Sequence, residues 1–350
     1  MKSELVKTLL VIEPSPEFPR NSEGSIIQLK DGSLFLAYTR FTSGGHDNSA
    51  AYVSSRASKD GGESWSDDEM LVDNEGRENV MSVSTLRLPS DEILLLYLVK
   101  NGWNDCRGYL RRSADEMQTL GERVCVTEDM GYYVVNNDRL VRLSSGRIVV
   151  PSSLHPNLGR EFGTWSHRGI AMCYLSDDDG RTWRVSRSRL EAPPKSQSGL
   201  QEPGVVELLD GRLMMWIRTD MGSQLESFSE DGGETWTEAR DGQLKSPVSP
   251  ATIKRVPWGK ELLAVWNDHS GAHPFPQGKR SPLCAALSDD DGRSWRRSKM
   301  LEGDPNGWYC YISMTFVGDT VVLGYCAGDT TVGGLNRLKV IQVHRDWLYA

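Results

Sequence analysis

The chain lacks any apolar run near the roughly 20 residues that cross a bilayer. Its N-terminal segment has only the short run Leu9 to Ile12 and no small-residue cleavage site, so neither a membrane anchor nor a secretory leader is expected. The six cysteines, Cys106, Cys125, Cys173, Cys284, Cys310 and Cys326, form no CxxC pair and no tight framework. Buried, reduced thiols are the simplest reading, and a cytoplasmic location goes with them. No Lys/Arg run occurs and the formal charge is −8, which argues against nucleic acid as a partner. No Pro/Ser-rich linker divides the 350 residues. At that length one ordinary core stops growing, so two domains or a radial repeat is expected.

What the chain does have is repetition. The pattern Ser-x-Asp-x-Gly-x-x-Trp occurs four times, as SKDGGESW (58–65), SDDDGRTW (176–183), SEDGGETW (229–236) and SDDDGRSW (288–295). A remnant, SADEMQTL (113–120), keeps Ser113 and Asp115 but loses the Gly and Trp. A second repeat is an alternating apolar strand, a tight turn and a strongly apolar strand. Its copies occupy 25–40, 84–100, 138–153, 204–219, 251–267 and 312–328. Turns such as Lys-Asp-Gly-Ser and Leu-Asp-Gly-Arg between β-rich runs are hairpin signals. The copies start 59, 54, 66, 47 and 61 residues apart. Four strands' worth of chain per unit predicts an all-β, six-bladed β-propeller of four-stranded antiparallel blades. Residues 1–350 would form one domain, with the N-terminal stretch 4–13 pairing into the last blade to close the ring.

That geometry assigns the boxed Asp residues. With strands A to D counted outwards, the A–B and C–D turns share one face of the disc. The boxes are C–D turns, so Asp60, Asp178, Asp231 and Asp290 are expected to accept local backbone N–H bonds. Their Trp residues should pack between blades. The starts of A and C and the ends of B lie on the other face. Arg20, Glu23, Arg40, Asp47, Ser82, Lys100, Asn137, His155, Glu202, Arg218, Asp268, His269, Arg280, Tyr309 and Tyr311 fall there. Several Arg around one axial pocket suit a carboxylate, because the guanidinium grips it in a bidentate way. The expected partner is an anionic, carboxylated sugar.

The four boxes and six hairpins resemble the sialidase (neuraminidase) superfamily over nearly the whole chain. The resemblance implies an exo-glycosidase that removes a terminal acidic sugar with retention and needs no cofactor. Arg20, Arg218 and Arg280 match the family's carboxylate-binding Arg triad, and Arg40 an additional Arg after the first hairpin. Asp47 matches the acid/base, and Glu202 the Glu that activates the nucleophile. Tyr311 matches the nucleophilic Tyr, with Tyr309 as competitor. A neutral Tyr suits an anomeric centre bearing a carboxylate, where a carboxylate nucleophile would be repelled. Two features depart from the pattern. Ser82 stands where many sialidases carry an Asp for the N-acyl group, and Asn137, Asp268 and His269 add unfamiliar polar groups at the rim. A glycosidase or lyase acting on a uronate, or a non-catalytic binder of acidic sugars, are the alternatives. Adjacent pairs such as His46–Asp47 or Asp268–His269 lack a third ligand, so no metal is expected.

Overall fold

A computed structural model describes residues 5–157 and 166–350. The predicted hairpins form where the alternation placed them. The first unit holds β2 (Arg20–Gln28), β3 (Leu34–Phe41), β4 (Ala51–Ser58) and β5 (Glu69–Val72), hydrogen-bonded in that order. Further on, β15 (Gln201–Glu207), β16 (Leu213–Arg218), β17 (Ser223–Ser229) and β18 (Arg240–Lys245) make a second such sheet. A third contains β19 (Thr252–Arg255), β20 (Leu262–Asn267), β21 (Leu283–Ser288) and β22 (Lys299–Glu302). The last hairpin, β23 (Trp308–Val317) and β24 (Thr320–Gly328), continues into β25 (Leu338–His344). The N-terminal strand β1 (Val6–Ile12) pairs antiparallel with β25 and covers its edge.

One region departs from four strands per unit. The second unit, β6 (Asn79–Arg87), β7 (Ile93–Gly102), β8 (Asp105–Ser113) and β9 (Val124–Cys125), merges with the third. The third holds β11 (Val141–Arg142), β12 (Ile148–His155), β13 (Ile170–Ser176) and β14 (Arg184–Val185). An extra strand, β10 (Tyr132–Val134), joins them into one nine-stranded sheet. It runs antiparallel to β12 and meets β8 in parallel through Tyr132 and Cys106.

The apolar cores lie between successive units. Among the described residues, five of six buried clusters pair the first unit with the second, and so on to the fifth with the last. The remaining cluster joins the last to the first, where Leu9, Val322, Leu338 and Val340 meet Ile26, Leu36 and Tyr38.

The boxes are scaffolding. Ser58 Oγ donates to Asp60 Oδ1 at 2.9 Å and accepts from the Gly62 N–H at 2.8 Å. Asp60 then accepts from the Ser64 N–H and hydroxyl. Asp178, Asp231 and Asp290 repeat these bonds. The remnant does too, through Ser113, Asp115 and Thr119. There Met117 holds a φ of 69°, the left-handed position that Gly62, Gly180, Gly233 and Gly292 fill elsewhere. Its side chain repays that strain by packing with Phe35 and Ala37 of the first unit. Trp183 and Trp236 close their turns with indole bonds to Gly180 O and Gly233 O.

Strand register fixes which ends meet. In the first unit Leu34 lies beside Ser58 at the boxed end, while Arg20, Phe41 and Ala51 lie together at the other. In the fourth, Leu213 lies beside Ser229, and Gln201 beside Arg218. The residues singled out for chemistry therefore collect opposite the boxes.

Candidate active site

Four of the innermost strands carry a bulge near that unboxed end. The register slips between Ser22 and Ser25, Met81 and Ser84, Gln201 and Gly204, and Cys310 and Ser313. Within each slip stands a non-glycine residue with left-handed backbone: Glu23 (φ 54°), Ser82 (60°), Glu202 (46°) and Tyr311 (59°). Such backbone costs on the order of 1–3 kcal/mol per residue and re-aims the side chain. All four side chains line one cavity of about 300 Å³. Asp47, Arg218, Arg280, His155 and Tyr132 complete its chemistry.

Tyr311 donates its hydroxyl to Glu202 Oε1 at 3.2 Å. The other Glu202 oxygen forms an ion pair with Arg218 Nη1 at 2.7 Å, and both side chains are largely buried. Burial, then the Glu202 charge, push the Tyr311 phenol well above its ordinary range. Arg280 and Arg218 oppose them. The hydroxyl is thus a neutral donor with its acceptor already in place.

Arg280 differs from the other two guanidiniums. It is 8% exposed, and among the described residues no carboxylate pairs with it. Its guanidinium sits 5.5 Å from the Tyr311 ring centroid and 5.4 Å from that of Trp308. Its Nε and Nη1 find no hydrogen-bond acceptor. The free, buried thiol of Cys310 lies against it, with Cys326 opposite Cys310 across β23 and β24.

Arg20 lies buried behind the cavity wall and reaches two of its lining carboxylates. Its Nη2 meets Glu23 Oε1 at 2.7 Å and its Nη1 meets Asp47 Oδ1 at 2.6 Å. Ser82 Oγ donates to the second Glu23 oxygen at 2.7 Å. Burial raises the Glu23 carboxyl, against the pull of Arg20. Partial burial also pushes Asp47 up, weakly for a side chain 60% exposed. The Arg20 charge and hydrogen bond outweigh it and hold Asp47 below the usual carboxylate range. The Asp47 loop is anchored from the second unit. Asn79 Nδ2 donates to Asp47 O and Ser49 O, and buried Lys100 donates to Asp47 O and Asn48 Oδ1.

The structure thus gathers Asp47, Glu202, Tyr311, Arg218 and Arg280 around one cavity, with Arg20 directly behind. Five expected site residues lie elsewhere. Arg40 pairs with Asp68 and lies 3.6 Å above the Phe18 ring. Strand alternation explains it: Arg20 covers the Phe41 ring, so Arg40, one residue earlier, faces the other way. Tyr309 is a core residue packed edge-on against Tyr325, because the bulge breaks its same-face relation to Tyr311. Asn137 is fully buried and donates to Gly24 O and Tyr311 O, a tie beneath the cavity. Asp268 accepts from Ser270 N–H and Ser298 Oγ, and His269 stacks on Phe275 at 4.2 Å. Neither lines the cavity.

Tyr132 was not anticipated. It enters from β10 with Met81, Leu98 and Val134 and gives the cavity an apolar side. The signal was the run Tyr132 to Val135 before the third hairpin, too short to read as a strand of its own.

The family of BNR repeat-like domains matches residues 32–323. The chain belongs to that family. Within this BNR-repeat context the resemblance to sialidases is borne out. A 139-residue stretch is 31% identical to the sialidase of Micromonospora viridifaciens, covering 38% of this chain and 20% of that protein. The chain therefore matches about a fifth of that curated relative's length. Its fold is similar to a protein of unknown function from Dyadobacter fermentans, with TM-score 0.77, 17% identity, and 98% and 100% of the two chains covered. It is also similar to the NanB sialidase of Streptococcus pneumoniae, with TM-score 0.75, 12% identity, and 98% and 71% covered. At such identities these two structures speak to the BNR-repeat fold alone.

Proposed function

We propose that this BNR-repeat protein is a retaining exo-glycosidase that releases a terminal acidic sugar, a sialic acid or related nonulosonate, from a six-bladed ring. The observation that carries the reading is Arg280, a buried guanidinium without a carboxylate partner, beside the Tyr311–Glu202–Arg218 group. A buried uncompensated charge is costly, and an incoming carboxylate relieves it. The ring is supported by the six inter-unit clusters, the last of which joins end to beginning.

The substrate carboxylate binds Arg280 and Arg218 and competes with Asp47 for Arg20. Freed from that ion pair, Asp47 regains a carboxyl of higher pKa and can protonate the leaving oxygen. Tyr311 attacks the anomeric carbon as its proton passes to Glu202. A neutral phenol approaches the anionic sugar without repulsion. The guanidiniums hold the carboxylate while positive charge develops on the ring. Asp47 then draws a proton from water, whose oxygen attacks the anomeric carbon while Glu202 returns its proton to the departing Tyr311 oxygen, giving overall retention.

The Ser82 hydroxyl is already committed to Glu23, and Met81, Leu98 and Tyr132 flank it. This favours a sugar whose substituent there differs from the ordinary acylamino group. A panel of fluorogenic sialosides, deaminated nonulosonides and uronides tests the reading, with NMR of the first-released anomer. Release of a nonulosonate with retention, lost in Glu202→Gln and Tyr311→Phe, is expected. Binding without release, or release from uronides only, would overturn it.

A further inference from the structure

Asp268, His273 and Cys284 meet outside the cavity, at the outer part of the fifth unit. Their carboxylate oxygen, imidazole nitrogen and sulfur lie within 4.8 Å of one another. One loop and one strand supply them. Asp268 follows β20, Cys284 lies in β21 opposite Trp266, and His273 belongs to the loop between these strands. Asp268 is 2% exposed and Cys284 fully buried, whereas His273 is half-buried. Ser298 bridges the group: its hydroxyl donates to Asp268 Oδ2, and its hydroxyl and carbonyl oxygens, each 3.1 Å away, accept from His273 Nε2–H, which leaves Nδ1 as the nitrogen with a lone pair.

From this convergence we propose a zinc site of Asp268, His273 and Cys284 that pins the loop carrying Arg280. A thiolate, an imidazole and a carboxylate together suit Zn²⁺, whereas Mg²⁺ and Ca²⁺ take oxygen ligands. Donors on a tetrahedral zinc stand roughly 3.3–3.8 Å apart, given bonds of about 2.0–2.3 Å. The three donors, within 4.8 Å of one another, therefore draw together by at most about 1.5 Å on binding. Zinc displaces the thiol proton to water, and a water or the Ser298 hydroxyl takes the fourth position. His273 also borders an open groove of about 570 Å³ beside the C-terminal helix (Arg345–Tyr349), which offers a path of entry. Two of the three Lys and Arg side chains lining that groove have partners. Arg296 pairs with Asp289, and Lys299 donates to Trp347 O and Ala350 O.

The loop runs from Asp268 through Gly271 and Gly278 to Arg280. Tyr309 N–H to Arg280 O at 2.8 Å and Ser281 Oγ to Asp304 O at 2.7 Å hold its far end, and His269 N–H to Lys245 O at 3.1 Å holds its near end. Zinc would tie the His273 segment to the strand as well and limit how far Arg280 can wander.

The test uses the full chain, stripped with chelator and titrated with Co²⁺ and Zn²⁺. One equivalent of zinc retained after gel filtration is expected, with a near-ultraviolet thiolate-to-cobalt band. Cys284→Ser should abolish the band. His273→Ala, at a half-buried loop position, should lower zinc affinity by more than the roughly 10- to 100-fold typical of outer-shell changes. Zinc should also slow proteolysis within 268–280. No stoichiometric binding by the native chain, or binding equally tight in both variants, overturns the site. Glu202→Gln should bind zinc as the native chain does, so the outcome is independent of the glycosidase reading.

Discussion

The two ends of the strands in each unit follow opposite rules. At the boxed end, one solution recurs. A Ser and an Asp satisfy the same backbone N–H groups in four boxes and in the remnant, and the side chains end up with no free valence. At the unboxed end, one backbone distortion recurs with a different residue each time. Glu23, Ser82, Glu202 and Tyr311 occupy equivalent bulges, and Asp138 (φ 57°) holds the same conformation before β11. Repetition of residue type marks structure, whereas a bulge repeated on the innermost strands with changing residue type marks the place where chemistry is assembled.

That contrast can be broken in several ways. The largest effect is expected at the bulges. Glu202→Gln and Tyr311→Phe should lower turnover by about 10²–10⁴-fold, the range of a lost proton-transfer partner, with thermal unfolding little changed. Steady-state rates beside melting curves check it. At the other end the pattern inverts. Trp236→Ala removes an 8%-exposed side chain packed between the third and fourth units. It should cost about 3–5 kcal/mol of stability, measured by denaturant titration, with turnover per folded molecule preserved.

The boxes also set an acid limit. Local hydrogen bonds, from Ser64 to Asp60 and from Thr119 to Asp115, hold those carboxyls at about 2. For Asp178, burial pushes up but the Thr182 bonds win, again leaving it at about 2. The unfolded chain, with Asp near 3.8, binds protons first as pH falls. Stability from these groups is complete above about pH 4 and is lost towards pH 2. A flat urea midpoint across that window would contradict this. The smallest effect is expected at Arg40, which faces Asp68 and Phe18. Arg40→Ala should change kcat/KM less than about threefold, well under 1.4 kcal/mol.

Much of this contrast was legible in the sequence. Box spacing and alternation placed the hairpins, because turn chemistry and period-two burial are local properties. Glu202, Arg218, Arg280, Asp47 and Tyr311 could be placed at the unboxed end because strand ends and the loops between them follow from that frame. The failures share a cause. Arg40 and Tyr309 were misplaced because register and bulges decide which face a side chain takes, and a one-residue slip reverses it. Tyr132 was missed because β10 owes its existence to partners in two units rather than to its own three residues. Asp268 and His269 share a strand end with Arg280 in sequence, but their loop folds them outwards.

The most direct test is calorimetric titration of a carboxylated 2,3-dehydro sugar acid into the native chain, Arg280→Gln and Arg40→Ala. Losing a charged hydrogen bond of about 1.5–3 kcal/mol should weaken Arg280→Gln by roughly 10- to 100-fold, with Arg40→Ala unchanged. Equal affinity in the native chain and Arg280→Gln would show that the unpaired guanidinium is not the seat of the anion.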